Sequence, residues 1–308
     1  MPSARRPGRL RLQHILVTTD FSGDAAQAYS WALAMADAFG AQLTLMHVVE
    51  RFPIDTILGQ ESTRDPVKQL IGEAQVRLRM LAGSLASDGG RSPRLAVRFG
   101  KPFDEITRGA KELGASLIVL ATHGHSGLKR AFLGSTTERV VRHASCPVLA
   151  VRAVETKSSK PTRKTTPIRR IVLATDFSGN SLNAFPIARS LANGFKPALT
   201  VLHVVEPFHA DMLMDTGNLQ RERRRQALEQ LRELAAREFT GGAGAKTELR
   251  AGHPVEAITR FARESGADLI ILATHGRTGL RRALIGSVAE RVVRHAPCPV
   301  LVVRGKSR

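Results

Sequence analysis

The residues best suited to chemistry stand in two glycine-containing segments with the same spacing. In each segment, nine residues separate two glycines and a serine follows the second, giving Gly124, Gly134 and Ser135, then Gly276, Gly286 and Ser287. Each segment leads from an apolar run into a helical pattern. Backbone N–H groups and the positive dipole end at a helix N-terminus suit a phosphate group. The segments therefore predict two phosphate sites.

The same residues permit a purely structural interpretation. "STTE" and "SVAE" are capping boxes, in which Ser135 or Ser287 caps the helix and Glu138 or Glu290 reaches back to the serine. A cap explains the serine and the glutamate. It does not explain glycines held at one spacing in two loops.

The spacing recurs because the chain contains a duplication. Residues 121–152 and 273–304 agree at 23 of 32 positions. Each copy alternates β-branched apolar runs with helical patterns, which predicts an α/β fold of two tandem doubly wound domains, each with a five-stranded parallel sheet and four helices. Ligands in such sheets bind at the carboxyl ends of the strands, where the winding direction reverses.

The first strand of each copy ends at an aspartate, Asp20 or Asp176. A carboxylate at this edge of the sheet could cap the following turn, bond a sugar hydroxyl or act as a general base. No nucleophile elbow, glutamate–histidine metal helix or kinase signature accompanies the aspartates, so the first two roles are favoured.

The helix after each aspartate carries its own boundary signals. Ser22 and Ser178 are predicted N-caps, and the patterns close at Gly40 and Gly194. Pro186 lies inside the second pattern and predicts a kink or a displaced first turn.

The 308 residues divide into a first domain, residues 1–152, a linker rich in Lys, Thr, Ser and Pro, residues 153–166, and a second domain, residues 167–308. The net charge of +19 raises the expectation of anionic partners, but most of the excess lies in terminal segments, the linker and the run "RERRR". A solvated charged surface is favoured over a nucleic-acid site, since one Trp and one Tyr leave few aromatic rings for base stacking.

Cellular location is inferred from the cysteines and the hydropathy. Cys146 and Cys298 occupy the same place in the two copies, which is typical of small buried residues beside a strand and of a reducing compartment. No apolar run reaches the length of a membrane span, and the basic leader lacks the pattern of a signal peptide. We expect a cytoplasmic protein that does not bind membranes.

The two copies together resemble the universal stress protein family, over His14–Arg152 and Arg169–Arg304. Nucleotide-binding members carry G-x-x-G, nine residues and then G-[S/T], after a first strand that ends in a turn like T-D-F-S. The glycines and serines of both copies match this motif, except that Ala121 and Ala273 replace its first glycine.

The resemblance implies a fold like that of the adenine nucleotide alpha hydrolases and a site for ATP, expected with Mg²⁺. It also implies that Asp20 and Asp176 lie by the ribose, and that backbone groups of Val48 and Val204 meet adenine. The family dimerises through its last strand, so "PVLAVR" and "PVLVVR" are expected to pair within the chain, and a homodimer of whole chains is a further expectation.

Three functions remain open. The chain could be a stress-response protein that acts by binding ATP, with at most weak hydrolysis. It could be an enzyme on this fold, such as an ATPase, although no catalytic set is found. It could be an interaction protein with vestigial sites, as Ala121 and Ala273 would favour. No metal site is predicted, because the recurring histidines lack a short-range ligand spacing.

Overall fold

The computed structural model describes residues 12–50, 64–86, 92–122, 133–152, 168–206, 216–240, 244–274 and 286–304. The chain forms two compact units, and their described parts are residues 12–152 and 168–304. The predicted linker, residues 153–166, lies outside the described residues.

The first unit is a parallel sheet with helices between its strands. Its strands are β1 (His14–Thr19), β2 (Gln42–Glu50), β3 (Arg94–Gly100), β4 (Leu117–Ala121) and β5 (Val148–Val151). Its helices are α1 (Gly23–Phe39), α2 (Arg64–Ala86), α3 (Pro102–Glu112) and α4 (Ser135–His143). The strand order is β3-β2-β1-β4-β5, and every pairing in it is parallel.

The second unit repeats this arrangement. Its strands are β6 (Arg170–Ala174), β7 (Ala198–Val205), β8 (Lys246–Ala251), β9 (Leu269–Ala273) and β10 (Val300–Val303), in the order β8-β7-β6-β9-β10. Its helices are α5 (Gly179–Leu182), α6 (Phe185–Phe195), α7 (Thr216–Glu238), α8 (Pro254–Glu264) and α9 (Ser287–His295). The predicted architecture is thus confirmed, except that the first helix of this unit is in two pieces.

Proline causes that break. Pro186 has no backbone N–H, and in a continuous helix its ring would clash with the carbonyl group four residues earlier, at Leu182. Accordingly α5 ends at Leu182 and α6 begins at Phe185, with Pro186 in its first turn. The prediction was a kink or a displaced first turn, and the structure shows a divided helix whose second part begins one residue before the proline.

The other predicted ends of these helices are confirmed with one exception. The side chains of Ser22 and Ser178 accept hydrogen bonds from the first-turn N–H groups of Ala25 and Ser181. Gly40 ends α1 in the left-handed conformation, with φ 62°. Helix α6 runs past Gly194 and ends at Lys196, which itself adopts φ 50°, so the prediction of an end at Gly194 was wrong.

The strand order indicates where a ligand is expected to bind in each unit. In each unit the chain builds outward from the first strand to one side, then returns to build on the other side, so the winding reverses between β1 and β4 and between β6 and β9. The central strands are buried on both faces, as parallel sheets covered by helices require. The carboxyl ends of β1 and β4, or of β6 and β9, therefore bound the cleft where a ligand is expected.

Among the residues that the structure describes, no helix is both long enough and apolar enough to cross a membrane.

Candidate functional site

A tight turn follows the first strand of each unit and is built around the aspartate. Oδ1 of Asp20 accepts hydrogen bonds from the backbone N–H of Ser22 (2.9 Å) and from its hydroxyl (2.5 Å). Asp176 makes the same two bonds to Ser178, at 3.0 Å and 2.6 Å. Both aspartates therefore fix the turn whose serine caps the next helix.

The residue after each aspartate is in an unusual conformation. Phe21 and Phe177 adopt φ 64° and 65°, a region that costs a residue with a Cβ about 1–2 kcal/mol. The hydroxyl oxygens of Thr19 and Thr175 compensate by accepting hydrogen bonds from the phenylalanine N–H groups, at 2.7 Å and 3.1 Å. The turn thus holds each phenylalanine ring in a fixed place at the end of the strand.

Two recurring histidines support the same turn. Nδ1 of His47 donates to the carbonyl oxygen of Thr19, and Nδ1 of His203 donates to that of Thr175, both at 2.8 Å. A third histidine, His143, donates to the carbonyl oxygen of Arg139 near the end of its helix. Within the described part of the chain, no group of three or more His, Cys, Asp or Glu side chains could hold a metal ion.

The backbone of Val204 points toward the cleft. The carbonyl oxygen of Leu202 accepts a hydrogen bond from Thr175 just after β6, whereas that of Val205 accepts one from Gly252 just after β8. The N–H and C=O groups of successive residues point to opposite edges of a strand. Those of Val204 therefore point to the same side as those of Leu202, toward β6, at a level beyond the last residue of β6, Ala174. In the first unit, β2 likewise extends past its last pair with β1, and Val48 is the first residue of that extension.

The glycine and serine of each motif begin a helix, but not as predicted. Gly134 and Gly286 are the N-caps of α4 and α9, and neither helix has a side-chain cap. Ser135 and Ser287 are the first helical residues and are exposed. The capping-box prediction was therefore wrong.

The glutamates of the supposed capping boxes have another partner. Glu138 accepts from Arg142 at 2.7 Å, and Glu290 accepts from Arg294 at 2.9 Å, each one turn along the helix. Among the residues that the structure describes, no side-chain cap satisfies the first N–H groups of these two helices.

Gly134 is required by a close approach of the backbone and not by its dihedral angles. Its φ of −58° and ψ of 138° suit any residue. Its N–H donates to the carbonyl oxygen of Thr122 at 2.9 Å, and a Cβ on Gly134 would lie 2.9 Å from the same oxygen. Gly286 makes the corresponding bond to Thr274 at 2.7 Å.

We therefore expect Gly134→Ala to destabilise the first unit by about 1–3 kcal/mol, because the added methyl group forces the backbone of Thr122 to move. Urea unfolding without nucleotide measures the effect. Gly72→Ala is the matched control, since nothing lies within 4 Å of a Cβ there and α2 should gain up to about 1 kcal/mol. Equal stabilities for wild type and Gly134→Ala would contradict the close approach.

The alanines that replace the first motif glycine lie at the ends of β4 and β9. The carbonyl oxygen of Ala121 accepts a hydrogen bond from the hydroxyl of Thr137 at 2.8 Å. Ala273 is buried and its surface faces the cleft of the second unit. The middle motif glycines, Gly124 and Gly276, lie outside the described residues.

A cavity of about 590 Å³ occupies the cleft of the second unit. It brings together the described candidate residues of that copy, namely Asp176, Val204, Ala273, Gly286 and Ser287. Its volume is within the usual range of about 300–1,000 Å³ for small-molecule sites. The charged side chains on its walls are two arginines, Arg223 and Arg291, and two acidic groups, Asp176 and Glu206.

The family model for the universal stress protein family matches residues 11–152 and again residues 167–304. The chain belongs to the universal stress protein family. Two successive family domains account for the duplication, and this membership supports a role in the stress response.

Other universal stress proteins resemble the chain over one domain or over its whole length. A protein of Methanocaldococcus jannaschii is 37% identical over 142 residues, covering 44% of this chain and 82% of that protein. One from Mycolicibacterium smegmatis is 26% identical over 301 residues, covering 94% and 96%. The solved structure of one from Archaeoglobus fulgidus superposes with a TM-score of 0.67, covering 96% and 99% at 21% identity, and supports the fold.

One wall of this universal stress protein's cavity was not predicted from the sequence. Helix α7 contributes Arg223, Gln226 and Gln230, and Arg223 belongs to the run interpreted as a solvated surface. The three residues are three and four positions apart, so they share one face of the helix. That spacing is visible in the sequence, but it does not indicate which face of a strongly charged helix turns toward a cleft.

Proposed function

We propose that this universal stress protein binds ATP with Mg²⁺ in the cleft of each unit, and that it acts through the bound state and not through rapid turnover. The base meets the backbone of Val48 or Val204, and the ribose meets Asp20 or Asp176. The phosphates meet the N-termini of α4 and α9, at Gly134 and Ser135 or at Gly286 and Ser287. Gly124 and Gly276 complete the phosphate loops in this proposal.

The observation that carries the proposal is the uncapped N-terminus of α9 at the cavity wall. Helix α9 has no side-chain cap among the described residues, and Gly286 and Ser287 line the cavity. Such a terminus attracts an anion through its N–H groups and its dipole. Arg291, one turn further along α9, adds a positive charge to the same wall.

The remaining walls fit a nucleoside. The peptide groups of Val204 offer one donor and one acceptor, which can pair with the edge of a purine base. The carboxylate of Asp176 can accept from a ribose hydroxyl. Mg²⁺ keeps several waters and binds mainly through the phosphates, so it does not require a dedicated cluster of protein carboxylates.

A second candidate function is that of an interaction protein whose nucleotide sites have been lost. Ala273 favours it, because its methyl group stands at the cavity wall where the motif has a glycine. A slow ATPase is the other alternative, and it needs a water-activating group that the described residues of the cavity do not identify.

Mg-ATP is expected to raise the melting temperature of the full chain. Ligand at about 100 times its Kd stabilises the native state by about 2.7 kcal/mol, which at about 2–4 °C per kcal/mol is a shift of about 5–11 °C. Equilibrium dialysis should find two ATP per chain, and chromatography of the bound fraction should recover ATP. Rapid release of ADP would favour the ATPase, and no binding at millimolar ATP would favour the interaction protein.

We also propose that β5 and β10 pair within the chain, because each is the last strand of its sheet and an uncovered edge promotes aggregation. Paired strands lie about 4.8 Å apart, so spin labels at Arg152 and Arg304, placed after replacing both cysteines with alanine, should lie within about 25 Å. Dilution with unlabelled chain should leave the distance unchanged. Distances beyond about 40 Å would contradict the pairing.

The proposal also includes a homodimer of whole chains and a location in the cytoplasm. Association of whole chains into a homodimer would be seen as a doubled mass in analytical ultracentrifugation. Both cysteines are free, which is consistent with action in the reducing cytoplasm.

A further inference from the structure

The helix that covers the cleft differs between the two units. Helices α2 and α7 align through their buried faces, where Leu78 and Ala82 correspond to Leu231 and Ala235. Four residues of α7 line the cavity, and with this alignment one of them, Ala227, corresponds to an identical residue, Ala74, while the other three correspond to different residues of α2. Arg223 corresponds to Leu70, Gln226 to Glu73 and Gln230 to Arg77.

In the first unit, the side chains of His47 and Arg77 both pack against the ring of Phe21. The ring of His47 lies 4.4 Å from it, centroid to centroid. The guanidinium carbon of Arg77 lies 4.1 Å from the centroid of Phe21, in the geometry of a cation–π interaction. The fixed turn at Phe21 holds the ring in this stack.

In the second unit, the equivalent phenylalanine lines the cavity. Phe177 has its histidine neighbour, His203, at 4.2 Å, and both Phe177 and Gln230 line the cavity. Gln230 stands where Arg77 stands in the first unit, and over the described ranges no arginine lies above the ring of Phe177. Val204, whose peptide groups face the cleft, directly follows His203.

We propose that Phe177 is the surface on which the nucleotide base stacks, and that Arg77 covers the equivalent ring, Phe21, so that the second unit binds ATP more tightly than the first. The inference rests on the proposed function. A base that pairs with the backbone of Val204 lies beside His203, and therefore within reach of the ring that packs on His203. In the first unit, the base must displace the guanidinium of Arg77 before it can occupy the same place.

The effect should be measurable as a difference between two classes of site. Stacking of one base on an aromatic ring changes affinity by about tenfold, and displacement of an exposed cation–π contact costs about two- to fivefold. We therefore expect titration calorimetry of the full chain with Mg-ATP to require one tighter and one weaker site, about two- to fivefold apart.

Exchanging the two helix residues tests the assignment, and both are exposed, so folding should not depend on them. Arg77→Gln should strengthen the weak site and give two nearly equal tight sites. Gln230→Arg should weaken the tight site and give two weak ones. Phe177→Leu should weaken the tight site about tenfold, while the matched control Phe21→Leu should change the weak site about threefold or less.

Three other results would overturn either this inference alone or the proposed function as well. Equal affinities in the wild type would overturn this inference and leave the proposed function in place. Weaker binding in Arg77→Gln would mean that the arginine contacts the ligand, and would also overturn it. Absence of ATP binding in the wild type would overturn the proposed function together with the inference.

Discussion

ATP binding is expected to be lost when Ser135 and Ser287 are both replaced by aspartate, while the protein without nucleotide becomes as stable as the wild type or slightly more stable. Both serines are the exposed first residues of their helices. An acidic residue there interacts well with the helix dipole and stabilises the helix by about 0.3–1 kcal/mol. The same carboxylate lies where the phosphate charge is proposed to bind.

The size of the loss follows from charge repulsion. Two unit charges about 4 Å apart at an effective dielectric constant of about 20 repel by about 4 kcal/mol, which corresponds to about a thousandfold in affinity. Titration calorimetry measures the binding, and urea unfolding without ATP measures the stability. Loss of ATP binding together with unchanged or higher stability would show that these two positions contact the ligand and are not needed for folding.

The matched control is Ser135→Asn with Ser287→Asn, which has nearly the same shape as the aspartate variant but no charge. It should keep most of the affinity for ATP. Substitution of the neighbouring glycines is less informative, because a Cβ at Gly134 already meets the carbonyl oxygen of Thr122. If the aspartate variant binds ATP as tightly as the wild type, the phosphates do not lie at these helix termini.

Replacement of Asp176 by alanine is expected to cost about 1–3 kcal/mol of stability and at least about tenfold in ATP affinity. Alanine removes the acceptor for both the N–H and the hydroxyl of Ser178, and it leaves Phe177 in its left-handed conformation with less support. Asp176→Asn keeps an acceptor oxygen at the same place, so the turn should remain close to wild type in stability.

The asparagine variant also separates the possible roles of this aspartate. A hydroxyl of the ribose can still donate to the amide oxygen, so ATP affinity should fall by only a few-fold. The amide of asparagine cannot act as a general base. If Asp176 has that role, any slow hydrolysis of ATP should therefore disappear in Asp176→Asn while ATP binding persists. Urea unfolding, calorimetry and a single-turnover assay measure the three quantities, and unchanged hydrolysis in Asp176→Asn would exclude Asp176 as a base.

Some features depend on local sequence and were predicted for that reason. The alternation of apolar runs and helical patterns is sufficient to predict a parallel doubly wound sheet, because a strand that is apolar throughout must be buried on both faces. The strand-end position of Asp20 and Asp176 follows from the same pattern. The N-caps at Ser22 and Ser178 depend only on residues three positions further along the chain.

Other features depend on contacts between distant segments, and the tertiary structure alone decided them. Gly134, and not Ser135, is the N-cap of α4, and its N–H donates a hydrogen bond to the carbonyl oxygen of Thr122, twelve positions earlier in the chain. The sequence of α2 and α7 specifies charged helices, but not which face covers a cleft. Whether Arg77 lies over Phe21 depends on how helix and strand-end turn pack together, and no local pattern encodes that distance. The sequence by itself therefore determined the fold and the chemical character of the motif, whereas tertiary packing decided which side chains surround the cavity and how the two units differ.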